Sequence, residues 1–325
     1  MSQSQKHLSV ELAIPATSAN LGPGFDTLAL SLGLHLRIKA SAAPEFTLKA
    51  TGRNADLCGL LDRNLMLSTY RALLQRERRL VTPLALAVNN EIPLGMGCGS
   101  SAAARVAGVA LAAHFGELDW NKARIFEEAA RLEGHPDNAA SCVFGGFTVS
   151  GPKNQEHEPL GLGQEGREPQ DWIATKVAPA ENWCAVLAIP ERPLPTSSSR
   201  GVLPSQYSRL DAVRNLQAVG LLTAGFFAQN KDLVRSGMHD RLHEPYREKI
   251  CPLLSALWPL DQTEGIIGVA LSGAGPSVLL LTERVSSESV VERVRGAVKE
   301  PAEVLIVELD HKGMEARSVA PAENE

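Results

Sequence analysis

Aromatic side chains make up only 5% of the 325 residues, and no block of lysine or arginine interrupts a chain whose net charge is −5. Both absences argue against nucleic acid as a partner: there is no electrostatic footprint for a phosphate backbone and few platforms on which bases could stack. Cysteine is sparse as well. Cys58, Cys98, Cys142, Cys184 and Cys251 are odd in number, widely spaced and form no C-x-x-C pair. That supports neither a disulfide framework nor a zinc site and points to a reduced, cytoplasmic protein. The polar stretch from Met1 to His7 lacks the apolar core of a secretory signal. A membrane span is missing too. The longest uncharged stretch, residues 265–282, is long enough to raise the question. Ser272-Gly273-Ala274-Gly275-Pro276-Ser277 divides it into two short apolar runs that read as strand, loop, strand.

The remaining composition, 44% hydrophobic and 21% charged, is that of an ordinary globular enzyme, and the length suits two domains. Residues 28–40 alternate: Leu30, Leu32, Leu34, Leu36 and Ile38 share one face, Ser31, His35, Arg37 and Lys39 the other. This predicts a half-buried antiparallel strand. Further strands are expected at 10–15, 46–51, 84–88 and 142–149. Helices are expected at 64–79, at 101–115, where nearly all side chains are small, and at 120–132 behind an Asp119 N-cap. Residues 151–171 are polar and rich in Gly, Pro, Glu and Gln, which predicts an exposed linker at a domain boundary. Beyond it come a strand at 185–189, helices at 210–229, 232–238 and 248–257, strands at 266–271 and 278–282, a helix at 287–298 and a strand at 304–308. That order suits a ferredoxin-like α+β unit better than a doubly wound parallel sheet. The domains are accordingly set at 1–165 and 166–310, with a frayed polar tail at 311–325.

Four segments carry chemistry. The first is Pro93-Leu94-Gly95-Met96-Gly97-Cys98-Gly99-Ser100-Ser101-Ala102-Ala103-Ala104. Alternate glycines let a backbone approach a ligand, and the helix start that follows offers unpaired amides to an anion. Ser100 or Ser101 could also place a hydroxyl on a phosphate-bound Mg²⁺. No Gly-Lys-[Ser/Thr] follows, so this is not a P-loop, and the glycine spacing is not that of a dinucleotide fold. A plain strand-to-helix turn is the bland alternative. Cys98 within it reads as a small spacer, since no partner base can be named. The second segment, Pro15 to Asp26, reads as a polar loop in which Asn20 and Asp26 suit an ammonium or hydroxyl; the alternative is a self-bonded turn. The third is Glu133-Gly134-His135-Pro136-Asp137-Asn138, behind a helix bearing Glu127 and Glu128. Either carboxylate could complete a Mg²⁺ site, or both could simply be solvated. The fourth is the 272–277 loop, small enough to lie against phosphate or another loop, or else a hairpin turn. His239 and His243 stand four apart but lack a third metal ligand.

Together these segments, in order from about Val10 to Glu308, resemble the GHMP kinases, a superfamily of small-molecule kinases. The second and third look most like its homoserine-phosphorylating members. The resemblance implies a domain like domain 2 of ribosomal protein S5 followed by a ferredoxin-like domain, with ATP at their junction. Phosphates would lie on Pro93 to Ala103 with Gly273 and Gly275 nearby, Asn64 would touch adenine, and Ser101 and Glu127 would hold Mg²⁺. Asn20, Asp26, Asp137 and Asn138 would surround L-homoserine and its reacting hydroxyl, while Arg200 and Arg247 would grip its carboxylate in bidentate fashion. Related kinases place an aspartate base where Asn138 stands, so catalysis here is expected to run without a strong side-chain base. Homodimers are common among such proteins. The alternatives are another alcohol acceptor, such as mevalonate or shikimate, and a non-catalytic nucleotide-binding protein of the same fold.

Overall fold

The computed structural model describes residues 9–153, 171–194 and 196–319. Strands β1 (Ser9–Asn20) and β2 (Gly24–Ala42) form a long central hairpin. β3 (Thr47–Gly52) follows, then α1 (Ala55–Cys58), α2 (Leu65–Arg76) and β4 (Leu84–Asn90), which inserts between β2 and β3. β4 lies antiparallel to β2 and parallel to β3. Next come α3 (Ser100–Phe115), α4 (Lys122–Glu133) and α5 (Asp137–Phe144), then β5 (Phe147–Pro152) and β6 (Trp172–Val177), an antiparallel pair that joins the first half of β2.

The alternation expected along residues 28–40 holds only beyond a bulge. Leu36, Ile38 and Ala40 are buried while Arg37 and Lys39 are exposed, but from Leu28 to Leu32 every residue is buried. Pro15 pairs with His35 and Ala16 with Leu32, which leaves Gly33 and Leu34 as the bulged residues. On the near side of the bulge α5 closes over Ser31, whose hydroxyl donates to the Ser141 carbonyl at 2.6 Å. The small side chains of α3 also have a reason: a Cβ on Gly108 would stand 2.5 Å from the Met66 carbonyl oxygen of α2. Larger residues along this crossing would overpack it, typically at about 1–3 kcal/mol each.

The second unit opens with β7 (Trp183–Pro190). It continues through α6 (Thr196–Gly201), α7 (Arg209–Ala228), α8 (Lys231–Gly237), α9 (Glu244–Arg247), α10 (Pro252–Leu257), β8 (Ile266–Leu271), β9 (Val278–Glu283), α11 (Ser287–Ala297) and β10 (Ala302–Val307). Its sheet runs β10-β7-β9-β8, all antiparallel. This is the ferredoxin-like order, so the α+β, two-domain architecture stands.

Several local expectations are corrected. Residues 142–149 are not one strand: Cys142 ends α5, and Gly145 and Gly146, both left-handed, turn the chain before β5 starts at Phe147. A short apolar run cannot distinguish a buried helix from a strand. The cap of α4 is Asn121, whose Oδ1 accepts from Arg124 N at 2.9 Å, not Asp119. The segment from Pro15 is strand as far as Asn20, so the turn is only Leu21 to Pro23. The helix expected at 248–257 is broken at Cys251, which leaves the helical conformation ahead of Pro252. Residues 154–170 of the expected linker lie outside the described residues, but their neighbours join β5 to β6 within one sheet. The break at 165 is therefore displaced to the connection between β6 and β7. The tail beyond 310 is not frayed as far as Val319: Met314 is 2% exposed, and β11 (Glu315–Val319) pairs with β1. No helix among the described residues is long and apolar enough to cross a membrane.

Candidate active site

The two units meet where the end of β1, the glycine loop before α3 and the β8–β9 hairpin loop converge. Gly95, Gly97 and Gly99 have φ of +70°, +76° and +70°. At Gly97 a Cβ would lie 2.1 Å from the Ser272 carbonyl oxygen, and at Gly99 it would lie 1.9 Å from Thr17 Oγ1. Only glycine can occupy either position. Gly99 caps α3, and the first helical bond runs from Ala103 N to Gly99 O. The amides of Ser100, Ser101 and Ala102 thus have no acceptor inside the helix and face the cleft with its positive end.

The 272–277 loop braces this arrangement. Ser272 Oγ donates to Gly97 O at 2.9 Å and Gly273 N to Ala19 O at 3.1 Å. Gly273 lines the cleft, whereas Gly275 packs behind the glycine loop. Among the other residues assigned to phosphate, Gly95, Gly97, Gly99, Ser100, Ser101 and Ala102 line the cleft. Pro93, Leu94 and Met96 instead line a neighbouring hollow, and Ala103 is buried inside α3. Cys98 is buried too, and burial pushes its thiol up to about 12, which suits a spacer and not a nucleophile.

Beside the helix start lies a second cavity of about 470 Å³ with apolar walls, including Leu57, Leu60, Met66, Val88 and Ile92. It shares Gly95, Ser100 and Ser101 with the cleft. Its size and apolar lining suit a heteroaromatic ring. Asn64 lies on its wall, but as the cap of α2: Oδ1 accepts from Leu67 N at 3.1 Å and Nδ2 donates to Cys58 O at 2.9 Å.

The expected Mg²⁺ pair is separated. Glu127 is on α4, bonded to Arg124 at 3.2 Å, and Glu128 is buried among Arg76, Arg124 and Arg131. The carboxylate that meets Ser101 is Glu133: Ser101 Oγ donates to its Oε1 at 2.8 Å, and Arg105 Nε lies 2.5 Å from the same oxygen. Six residues apart on one helix means about 9 Å along the axis and about 120° around it, so Glu127 and Glu133 cannot serve one hydroxyl. A hydroxyl and a carboxylate beside a phosphate-binding helix start form a hard-oxygen set that fits Mg²⁺.

The opposite end of the cleft, which measures about 380 Å³ in all, is charged. Asn20, Leu21 and Asp26 are left-handed without being glycine, a local strain that the surrounding bonds hold in place. Asn20 Oδ1 accepts from Asp26 N at 3.1 Å and its Nδ2 donates to Gly273 O at 2.8 Å, so Asn20 pins the hairpin to the second unit. Arg200 grips Asp26 through two bonds of 3.0 and 2.7 Å, which raises its guanidinium above the usual value. Arg247 is 1% exposed, donates from Nε to Ser199 O at 3.1 Å and meets His243 Nδ1 at 3.1 Å. Burial, helped by the nearby Arg200 charge, lowers it. Phe25 lies 5.3 Å from both guanidiniums.

Asp137 is buried, and its Oδ1 takes three donors: His135 Nδ1 at 2.6 Å, Asn138 N at 2.7 Å and Asn138 Nδ2 at 3.2 Å. Burial opposes a charge on His135, but Asp137 and Asp26 outweigh it and raise its pKa. Asn138 Oδ1 accepts from Thr17 Oγ1 at 2.6 Å. His239 and His243 do not form a pair: His243 is wholly buried, and His239 approaches only Asp261, at 4.0 Å.

Sequence reasoning assigned no role to Thr17, Phe25 or His135, did not single out Glu133 as a ligand, and weighed His243 only as a metal ligand. Glu133 and His135 stood inside a segment already singled out. The spacing of Ser101 and Arg105, one turn apart on α3, was the signal that a carboxylate must face them.

A helix start with unpaired amides facing a cleft between two α+β units is shared with a known class. Residues 64–146 match the model of the GHMP kinases N terminal domain, and residues 218–303 that of the GHMP kinases C terminal domain. The chain belongs to the GHMP kinase family, and as such it uses ATP. It is 41% identical over 285 residues to the homoserine kinase of Solibacter usitatus, covering 87% of this chain and 88% of that one. With the homoserine kinase of Synechococcus it shares 33% over 285 residues, 87% and 89% of the two chains. The crystal structure of homoserine kinase from Cytophaga hutchinsonii has the same fold, with a TM-score of 0.77 at 23% identity over 98% of this chain and 99% of that one.

Proposed function

We propose that the protein transfers the γ-phosphoryl group of ATP to the side-chain hydroxyl of L-homoserine, giving O-phospho-L-homoserine. The observation that carries this reading is the polarity of the cleft: unpaired amides and Ser101 at one end, and opposite charges from Asp26, Arg200 and Arg247 at the other. An α-amino acid needs both an acceptor for its ammonium and donors for its carboxylate. Mevalonate and shikimate carry a carboxylate but give Asp26 no cation to bind. The Arg200–Asp26 pair is partly exposed, so opening it to admit a zwitterion costs only about 1 kcal/mol or less.

The adenine would lie in the apolar cavity and the triphosphate along residues 95–102. Mg²⁺, held by Ser101 and Glu133, would neutralise charge on the β- and γ-phosphates. The homoserine oxygen attacks the γ-phosphorus as the bond to the β–γ bridging oxygen breaks. Its proton leaves to a γ-phosphate oxygen or to water. Asn138 cannot take it, since an amide is not a base, and Asp137 Oδ1 is already saturated by donors. His135 carries a raised pKa and pairs with that carboxylate, which disfavours it as a base. Acceleration therefore comes from alignment and from amides fixed in place, which a loose phosphoryl transfer state rewards. The five free cysteines, four of them buried, favour a reducing compartment such as the cytoplasm.

The test is ADP release with ATP and Mg²⁺ against a panel of alcohols. L-homoserine should exceed mevalonate and shikimate by at least about a hundredfold in kcat/KM. Equal rates for all three, or none, would remove the reading.

A further inference from the structure

We infer that His243 is a positioning residue that ties Arg247, in the second unit, to the Gly22 carbonyl in the turn leading to Asp26, and thereby sets the gap into which an amino acid fits. The inference rests on the substrate class proposed above.

His243 is wholly buried, and both ring nitrogens are used. Nδ1 lies 3.1 Å from Arg247 Nη1, and Nε2 lies 2.7 Å from Gly22 O. A guanidinium nitrogen can only donate and a carbonyl can only accept. The two partners therefore dictate one tautomer, with the proton on Nε2 and the lone pair of Nδ1 facing Arg247. A second proton would set N–H against N–H beside a like charge. Burial also favours the neutral ring, holding its pKa at about 4.

The ring is itself fixed from behind. Asp240 Oδ2 accepts from the backbone amides of His243 and Glu244, at 2.7 and 2.6 Å, and so anchors the first turn of α9. Arg247 follows four residues later, on the same face as His243. On the other side, the turn it holds has little freedom. Gly22 has φ +80°, a Cβ there would lie 2.9 Å from the Met238 carbonyl oxygen, and Asn215 Nδ2 donates to Pro23 O at 2.8 Å. Phe25, two residues before Thr27 and next to Asp26, stacks obliquely on the ring at 5.2 Å. A single imidazole thus bridges the arginine assigned to the carboxylate and the turn that carries the carboxylate assigned to the ammonium.

Three substitutions separate the two bonds. H243F removes both. H243Q can reach Gly22 with an amide N–H but offers Arg247 no acceptor at the Nδ1 position. H243N puts an amide oxygen where Nδ1 stood. The KM for L-homoserine should rise about 10- to 100-fold in H243F and H243Q, with kcat within about threefold and the KM for ATP unchanged, and H243N, which keeps the bond to Arg247 but not the one to Gly22, should recover part of the loss. Inhibition by aminopropanol, which lacks the carboxylate, should be the same in all four proteins. Should H243F not fold, the contrast between H243Q and H243N decides. An unchanged homoserine KM in folded H243F or H243Q overturns the inference, as does an equal loss toward ATP and aminopropanol, which would mark a merely structural role. If the wild-type protein itself does not phosphorylate homoserine, it is the proposed substrate that fails.

Discussion

At the end of the cleft proposed for phosphate, Gly95, Gly97, Gly99, Ser100, Ser101 and Ala102, close together in the chain, present mostly backbone, and the 272–277 loop buttresses them. At the amino-acid end, Asp26, Arg200 and Arg247 come from three distant segments and act through charged side chains. The first end tolerates changes of side chain but no added Cβ at its glycines. The second relies on its charges, held in place by a strained turn. A phosphate presents diffuse charge to many weak donors, which a local turn can supply. A zwitterion presents two opposite charges a fixed distance apart, which only a folded junction can match.

That contrast can be tested hardest at Gly97. Gly97→Ala should lower kcat/KM by about a thousandfold or more, because strain at positive φ adds to a clash with the Ser272 carbonyl oxygen; Met96→Ala should stay within about threefold of wild type. Steady-state kinetics on the pair would break the comparison if both behaved alike. Next in size, Glu133→Gln should cut kcat by about a hundredfold and raise the Mg²⁺ requirement, while Glu127→Gln should change it less than about twofold. At the charged end, Arg200→Met should raise the homoserine KM by about tenfold with little change in the KM for ATP, since the guanidinium is half exposed and acts on one substrate.

A last effect is on stability and appears only at acid pH. His243 has its pKa depressed from 6.5 to about 4, through burial first, with Asp240 pulling it up and Arg247 down. Below pH 6.5 the unfolded chain takes a proton that the folded protein refuses. Stability contributed by this site is therefore intact above pH 6.5 and falls as pH drops toward 4. Thermal melts across that window should show a steeper decline for wild type than for His243→Asn; parallel curves would show that the ring is not held neutral.

The glycine loop was legible because its chemistry is local: three glycines, two serines and a helix start are consecutive, and each local rule agrees with the next. The α+β division was legible for a similar reason, since strand and helix periodicities are read over short windows. The two arginines were legible only through resemblance, as nothing in the sequence around Arg200 or Arg247 announces a shared partner. That Glu133 and not Glu127 meets Ser101 could not be read from the sequence, because the helical phase of α4 relative to α3 depends on how the two pack. The same holds for the tail, whose composition reads as polar although β11 pairs with an open edge of β1.

Composition and spacing alone suggested an anion-binding helix start, since backbone amides need only neighbours in the chain to aim them. Which carboxylate faces Ser101, and which arginine leans on His243, followed from packing, because side chains far apart in the chain meet only after the two sheets and their helices close on one another.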